Sequence, residues 1–339
     1  MKTNPGRFFQ DFHPGQVIAH AIPRTLSGGE RALYHALYPA RTALQSSDEF
    51  ARSCGLPSAP FDDWLVFHTV LGKTVPDISL NAVANLGYAE GRWHRPVYPG
   101  DTLTATSTVI GLKPNSNGAS GIVWLRSEGR NQRGEVVLDY VRWVMVRARG
   151  DAMPAPVIPT LAASVPASQL IVPQGLRFDR YDFALAGESH RWGDYAVGEQ
   201  IDHADGVTIE EAEHMLATRM WQNTARVHFD ATARADGRRL IYGGHIISLA
   251  RGLSFNGLAN AQRIVALNAG SHVNPCFAGD TVRAWSEVLD RSATTAPGVG
   301  ALRLRLVATK GAAFALQDAE GRYLPEVLLD LDYWALVPL

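Results

Sequence analysis

Only two cysteines, Cys54 and Cys276, occur in the 339 residues. Two cannot build a disulfide framework, and they show no paired metal-ligand spacing, so both are expected to be small buried hydrophobes. No excess of either charge is present. Lysine and arginine number 32 against 33 aspartates and glutamates, a formal net charge of −1, so the chain has no bulk electrostatic reason to bind nucleic acid. Long hydrophobic runs are also missing: nowhere do about 18 apolar residues follow one another, which excludes a membrane-spanning helix. The opening Met1-Lys2-Thr3-Asn4-Pro5-Gly6-Arg7 carries no apolar stretch behind its positive charges, so a soluble, cytoplasmic protein is expected. Eleven histidines suggest a metal, yet neither His-Glu-x-x-His nor Cys-x-x-Cys is found, and neither metal nor cofactor is expected. Gly118-Ala119-Ser120-Gly121 lacks the third glycine of a dinucleotide loop, and no strand–helix pair brackets it.

What is present is a repeat. Asp11-Phe12-x-x-Gly15 recurs as Asp194-Tyr195-x-x-Gly198, an offset of 183 that also carries His20 to His203, Thr25 to Thr208 and Glu30 to Glu213. Pro96-Val97-Tyr98-Pro99-Gly100-Asp101-Thr102 recurs as Pro275-Cys276-Phe277-Ala278-Gly279-Asp280-Thr281 at an offset of 179. Glu135-Val136-Val137-Leu138-Asp139 recurs as Glu326-Val327-Leu328-Leu329-Asp330 at 191. Three blocks in one order, with an offset that drifts as loop insertions would make it, imply duplication. Met153-Pro154-Ala155-Pro156-Val157-Ile158-Pro159, followed by Pro166 and Pro173, reads as a linker because repeated prolines remove backbone donors and favour extended chain. The expected organisation is an N-terminal domain at 1–150, a linker at 151–178 and a C-terminal domain at 179–339.

In each half a helical segment (Ser27 to Tyr38; Thr208 to Trp221) precedes a second apolar helix (Trp64 to Leu71; His245 to Leu253) and then a set of strands. The strands are Leu103 to Ile110, Ile122 to Arg126 and Val136 to Val146, then Ile264 to Leu267, Val282 to Val288, Leu302 to Ala308 and Val327 to Leu331. Thr208 with Glu211 has the spacing of a capping box. Asp101 and Asp280 read as turn residues. Helices gathered early and strands late predict an α+β fold, a helix packed on an antiparallel sheet in each half.

Duplicated in this order, the chain resembles the tandem hot-dog fold, in which an antiparallel sheet wraps a central helix. The Pro-x-x-x-Gly-Asp-Thr turn is similar to that of MaoC-like dehydratases and R-specific enoyl-CoA hydratases. Their signature Gly-Asp-x-Asn-Pro-(aliphatic)-His is matched in part by Asn223-Thr224-Ala225-Arg226-Val227-His228, with Asn223 at the family's aspartate position and Ala225-Arg226 in place of Asn-Pro. Ala43-Leu44-Gln45-Ser46-Ser47-Asp48, the stretch Gly72 to Tyr88 and Gln222-Asn223-Thr224-Ala225 resemble the mesaconyl-CoA hydratases (β-methylmalyl-CoA dehydratases), and this likeness covers nearly the whole chain. It implies an acyl-CoA hydratase, with mesaconyl-CoA and β-methylmalyl-CoA as the interconverted thioesters, acyl-CoA as its partner, and no nucleic acid or membrane. A homodimer is compatible with it.

Hydrating an enoyl thioester needs a base for water, an acid for the α-carbon and donors for the developing enolate oxygen. His228 is the candidate base, since imidazole titrates near neutrality. Gly243 and Gly244 open the second apolar helix, where free N–H groups can meet the thioester oxygen. Within the repeat His228 falls on Gln45, Asn223 on Ala40 and Gly243-Gly244 on Asp63-Trp64, so one active site, built on the second half, is expected. The first half, with Gln45, would supply the other wall of the substrate tunnel. Asn223 cannot move a proton. Either it orients water while His228 handles both transfers, or a carboxylate replaces it, Asp230 being nearest and Asp62 or Asp63 more remote. Arg41 and Lys73 are candidates for binding a substrate carboxylate, and Arg234, Arg238 and Arg239 could meet CoA phosphates. Two rivals stand beside the hydratase: a hot-dog acyl-CoA thioesterase, which needs a carboxylate near the thioester, and a non-catalytic acyl-CoA-binding protein.

Overall fold

Apolar residues alternate along Ser120–Arg130. In the computed structural model of the chain, which describes residues 2–150, 152–312 and 314–339, this segment is a strand with Val123, Leu125, Ser127 and Gly129 turned inward. The first half runs β1 (Val17–Thr25), α1 (Gly28–Leu37), short helices α2 (Ala43–Ser46) and α3 (Asp48–Ser53), a central helix α4 (Asp63–Ile78), then β2 (Ala82–Trp93), β3 (Thr102–Pro114), β4 (Ser120–Arg130) and β5 (Val136–Arg147). The second half follows with α5 (Phe183–Ala186), β6 (Gln200–Thr208), α6 (Glu211–Met220), the one-turn α7 (Arg226–Phe229), a central helix α8 (Gly243–Leu253) and the short, kinked α9 (Phe255–Leu258). Strands β7 (Arg263–His272), β8 (Thr281–Ala293), β9 (Val299–Lys310) and β10 (Val327–Pro338) complete it.

All ten strands form a single antiparallel sheet in the order β1-β3-β4-β5-β2-β7-β10-β9-β8-β6, a palindrome in which each half repeats the other's connectivity. The halves meet at β2 and β7, where Tyr88 pairs with Gly270 and Arg92 with Ala266. Two glycines permit that approach. A Cβ on Gly91 would stand 2.8 Å from the Leu267 Cβ, and one on Gly87 would stand 2.8 Å from the Gly270 carbonyl oxygen. Each half wraps its five strands round its central helix, the expected tandem hot-dog. Helix α4 is buried on nearly every face, as an apolar helix enclosed by a sheet must be. One continuous apolar cluster draws residues from both halves.

The duplication extends to side-chain hydrogen bonds. His20 Nε2 meets Ser107 Oγ at 2.8 Å, and His203 Nε2 meets Ser286 Oγ at 2.8 Å. Asn81 Nδ2 donates to the carbonyls of Pro5 and Arg7, and Asn260 Nδ2 to those of Glu188 and His190. Tight helix crossings repeat as well. A Cβ on Gly72 of α4 would lie 1.7 Å from the Trp221 carbonyl oxygen, and one on Gly252 of α8 would lie 2.8 Å from the Pro39 ring.

Three local expectations need correction. The capping box belongs to the first half: Glu30 accepts from the Ser27 N–H at 2.8 Å while Ser27 Oγ accepts from Gly29 N–H at 3.1 Å. Thr208 instead ends β6, its hydroxyl 2.7 Å from that of Thr281, and α6 begins at Glu211 without a side-chain cap. Helix α4 continues past Leu71 through Pro76 to Ile78, with Pro76 within its last turn. Strands β1, β2 and β6 went unread, β2 because its glycines mask the alternation that marks a strand. The proline-rich stretch is extended and pinned to the sheet. Val157 exchanges two backbone hydrogen bonds with Leu112 at 2.7 Å each, and the Val165 N–H donates to Asn268 Oδ1 at 2.8 Å. Cys54 and Cys276 are both buried and free.

Candidate active site

Between the halves lies a cavity of about 260 Å³. Its floor and one wall come from the first half: Leu71, Val75 and Ser79 at the end of α4, Ala82 to Asn85 and Tyr88 on β2, Arg142 and Val144 on β5. The opposite wall comes from the second half and includes Asn223, Val227, His228, Leu240, Tyr242, Gly243 and His272.

His228 stands on α7, and two hydrogen bonds hold that turn. Leu240 N–H donates to the Val227 carbonyl at 2.9 Å, and His228 Nδ1–H donates to the Leu240 carbonyl at 2.8 Å. A nitrogen that donates to a carbonyl carries the proton of the neutral ring, so Nε2 is left as the acceptor. No described residue occupies Nε2, and burial draws the imidazole below its ordinary value of 6.5, partly offset by the bond to Leu240. A base held neutral in this way keeps its lone pair through neutrality. The kcat/KM profile is therefore expected to be flat near pH 7 and to fall with acid through an inflection below 6.5; an acidic limb above 6.5 would exclude His228 as the base.

Asn223 is 3 % exposed and follows Gln222, whose φ of 55° reverses the chain after α6. Its Oδ1 accepts from the Ala225 N–H at 3.2 Å, which leaves Nδ2 without a partner among the described residues on the cavity side. Gly243 is the first residue of α8 and faces the cavity. The preceding Tyr242 is set in place by its N–H, which donates to His214 Nε2 at 2.9 Å; burial pushes that imidazole down to about 3, so it stays neutral and accepts. The backbone N–H of Gly243 is free of intrahelical partners, as the first N–H groups of a helix are. Gly243 is required sterically, because a Cβ there would lie 2.3 Å from the His272 ring.

The other sequence candidates lie elsewhere. Gly244 is outside the lining; a Cβ there would lie 2.4 Å from the Tyr242 ring. Asp230 is exposed and caps a turn by accepting from Thr232, so it is not a substitute for the family aspartate. Gln45 is buried and donates to Asp63 Oδ2 at 3.0 Å; Asp63 in turn pairs with Arg263 at 2.7 Å. This network fills the position in the first half that corresponds to the cavity. Burial pushes the Asp63 carboxyl up to about 6 against the pull of Arg263. Asp62 caps α4 through the Trp64 N–H. Arg41 packs over the Phe255 ring, 4.4 Å from its centroid, and Lys73 donates to the Ile22 carbonyl at 2.6 Å; neither reaches the cavity. Arg234 pairs with Asp236 and Arg239 with Glu211, while Arg238 lies over Phe277 at 4.1 Å.

Sequence reasoning missed His272, Tyr88 and Arg142. His272 Nε2 and the Tyr88 hydroxyl are hydrogen-bonded at 3.1 Å, and burial pushes the ring down to about 4. Its signal was a histidine at the end of a strand, immediately before the repeated Pro-x-x-x-Gly-Asp-Thr turn. Among the described residues no Asp or Glu lines the cavity, and Arg142 is its sole formal charge.

A neutral imidazole and a helix-start N–H on one wall of a mostly apolar chamber, between two hot-dog halves, define a MaoC-like hydro-lyase. The chain superimposes with a TM-score of 0.97 on a MaoC-domain dehydratase from Chloroflexus aurantiacus, at 58 % identity over 100 % of this chain and 99 % of that one. A double hot-dog protein of Mycobacterium tuberculosis, Rv0216, matches at a TM-score of 0.77 and 26 % identity over 98 % of each chain. The sequence narrows the class further: the mesaconyl-CoA hydratase family profile matches residues 2–316, and the chain belongs to that family. It is 75 % identical, over 342 residues and the full length of both, to the mesaconyl-CoA hydratase of Cereibacter sphaeroides. It is 59 % identical to the β-methylmalyl-CoA dehydratase of Chloroflexus aurantiacus, over 99 % of this chain and 98 % of that one. Among the described residues no helix is long and apolar enough to cross a membrane.

Proposed function

We propose that the chain interconverts mesaconyl-CoA and β-methylmalyl-CoA by reversible addition of water, with His228 moving the proton. The observation that carries this reading is the cavity itself. It holds an imidazole with a free Nε2 and no carboxylate among the described residues, so proton transfer falls to histidine.

In the hydration direction Nε2 of His228 takes a proton from water as the hydroxyl oxygen adds to the β-carbon. The electron pair of the double bond moves through the α-carbon onto the thioester oxygen, where the Gly243 N–H and the positive end of α8 stabilise it. The enolate then collapses, and the imidazolium returns its proton to the α-carbon. Water thus supplies both added groups, the hydroxyl and the proton, and no redox or metal group is called for. Asn223, with Nδ2 toward the cavity, orients the water but moves no proton.

The thioesterase alternative needs a carboxylate that this lining lacks. One assay separates them. Purified protein with mesaconyl-CoA is expected to lose the enoyl-thioester absorbance without releasing free thiol; thiol release in step with that loss would overturn the hydratase reading.

A further inference from the structure

Arg142 is 2 % exposed, yet no carboxylate lies within 4.0 Å of it among the described residues. A buried guanidinium without a counter-ion is costly unless something else meets it. Its Nη2 is held: it donates to Thr74 Oγ1 at 2.8 Å and to Ser79 Oγ at 3.2 Å, and Thr74 in turn donates to the Leu71 carbonyl at 2.7 Å. These contacts lie along the C-terminal turns of α4, whose dipole favours a cation. They fix the plane of the guanidinium while Nε remains buried without a partner and Nη1 makes no hydrogen bond to a described residue. Asn85, on the neighbouring strand β2, also lines the cavity with both side-chain polar atoms buried and unpartnered.

The repeat sharpens the point. At the offset that pairs Asp139 with Asp330, Arg142 falls on Tyr333, so the cation is confined to the half-sheet facing His228. A ligand group that would satisfy this wall must be anionic, planar and small, with two oxygens for the guanidinium edge. The phosphates of CoA fit poorly, since they are bulky and Arg142 itself is only 2 % exposed.

We infer that Arg142, with Asn85 beside it, seats a free carboxylate on the acyl group and makes the site selective for dicarboxylic over monocarboxylic acyl-CoA. This rests on the reading of the cavity as an acyl-CoA site and adds the residues that recognise the free carboxylate.

The test uses ligands that cannot react. Succinyl-CoA and butyryl-CoA have acyl chains of equal length, one ending in carboxylate and the other in methyl, and neither carries a double bond. Calorimetric titration of the unaltered protein is expected to show succinyl-CoA binding at least about 10-fold tighter, the lower range for a hydrogen bond to a charged group. Arg142→Gln is expected to abolish that preference, and Arg142→Lys to retain part of it. In turnover, Arg142→Gln should lower the ratio of kcat/KM for mesaconyl-CoA over crotonyl-CoA by about 10-fold or more. Equal binding of the two ligands by the unaltered protein overturns the inference without any variant, so a failure of Arg142→Gln to fold does not protect it. A variant that loses activity equally toward both thioesters overturns it too, because a purely structural arginine would behave that way. A His228→Gln protein should keep the binding preference, so failure of the proposed base and failure of the carboxylate seat give different results.

Discussion

Replacing His228 by glutamine lowers kcat for hydration by about 10²- to 10⁴-fold, the range expected when a positioned general base is removed. Glutamine is the residue that the first half carries at the equivalent position, Gln45, so the variant copies the chain's own inert version of the site. Three features make the loss large. The Leu240 carbonyl fixes which nitrogen is free, and no other group supplies that geometry. No Asp or Glu lines the cavity among the described residues, so no carboxylate can take over. The remaining imidazole, His272, is driven down to about 4 by burial and its Nε2 is already engaged by the Tyr88 hydroxyl, which leaves it a weak base. Steady-state loss of the enoyl-thioester band at saturating mesaconyl-CoA measures the effect. A variant within 10-fold of the unaltered protein would move the chemistry to His272 and remove His228 from it.

Gly72→Ala is expected to destabilise the fold by about 4–5 kcal/mol, at the upper end of what single substitutions do. Overpacking ordinarily costs about 1–3 kcal/mol because flexible side chains give way. Here the obstacle is backbone, the Trp221 carbonyl oxygen 1.7 Å from the added carbon, so α4 and the end of α6 must separate. Thermal unfolding should shift down by roughly 5–10 °C, given how the midpoint responds to stability in a chain of this size. Gly252→Ala should cost less, because its obstacle is the edge of the Pro39 ring. Gly28→Ala in α1, with nothing within 4 Å of the new carbon, is the control and should leave the midpoint unchanged. A Gly72→Ala protein that melts with the control would mean that the helices do not cross this closely.

The duplication was legible because three blocks recur in order, and the fold followed from it. Asp101 and Asp280 behave as the Gly-Asp turns implied, accepting from the N–H of Tyr98 and Phe277. Strands β1, β2 and β6 were hidden because edge and junction strands are polar or glycine-rich; β2 needs Gly87 and Gly91 for the contact with β7, which a linear pattern cannot show. The site was half legible. Asn223, His228 and Gly243 lie within one stretch of 21 residues, so a motif can hold them together. Arg142, Asn85 and Tyr88 come from the other half of the chain and join that stretch only when the sheet closes. Arg41 and Lys73 were attractive as cations near a helix, but one is spent on an aromatic ring and the other on a carbonyl. Sequence proximity counts charges and does not show which already have partners.

The buried network around Asp63 also bears on how the two halves hold together. Asp63 belongs to α4 and Arg263 to β7, so the ion pair spans the seam between the two copies. Prising the copies apart like a clamshell would strand both charges in hydrocarbon, and leaving one such partner unmatched costs about 3–5 kcal/mol. Gln45, Asp63 and Arg263 thereby form a latch that fastens one half of the sheet to the other.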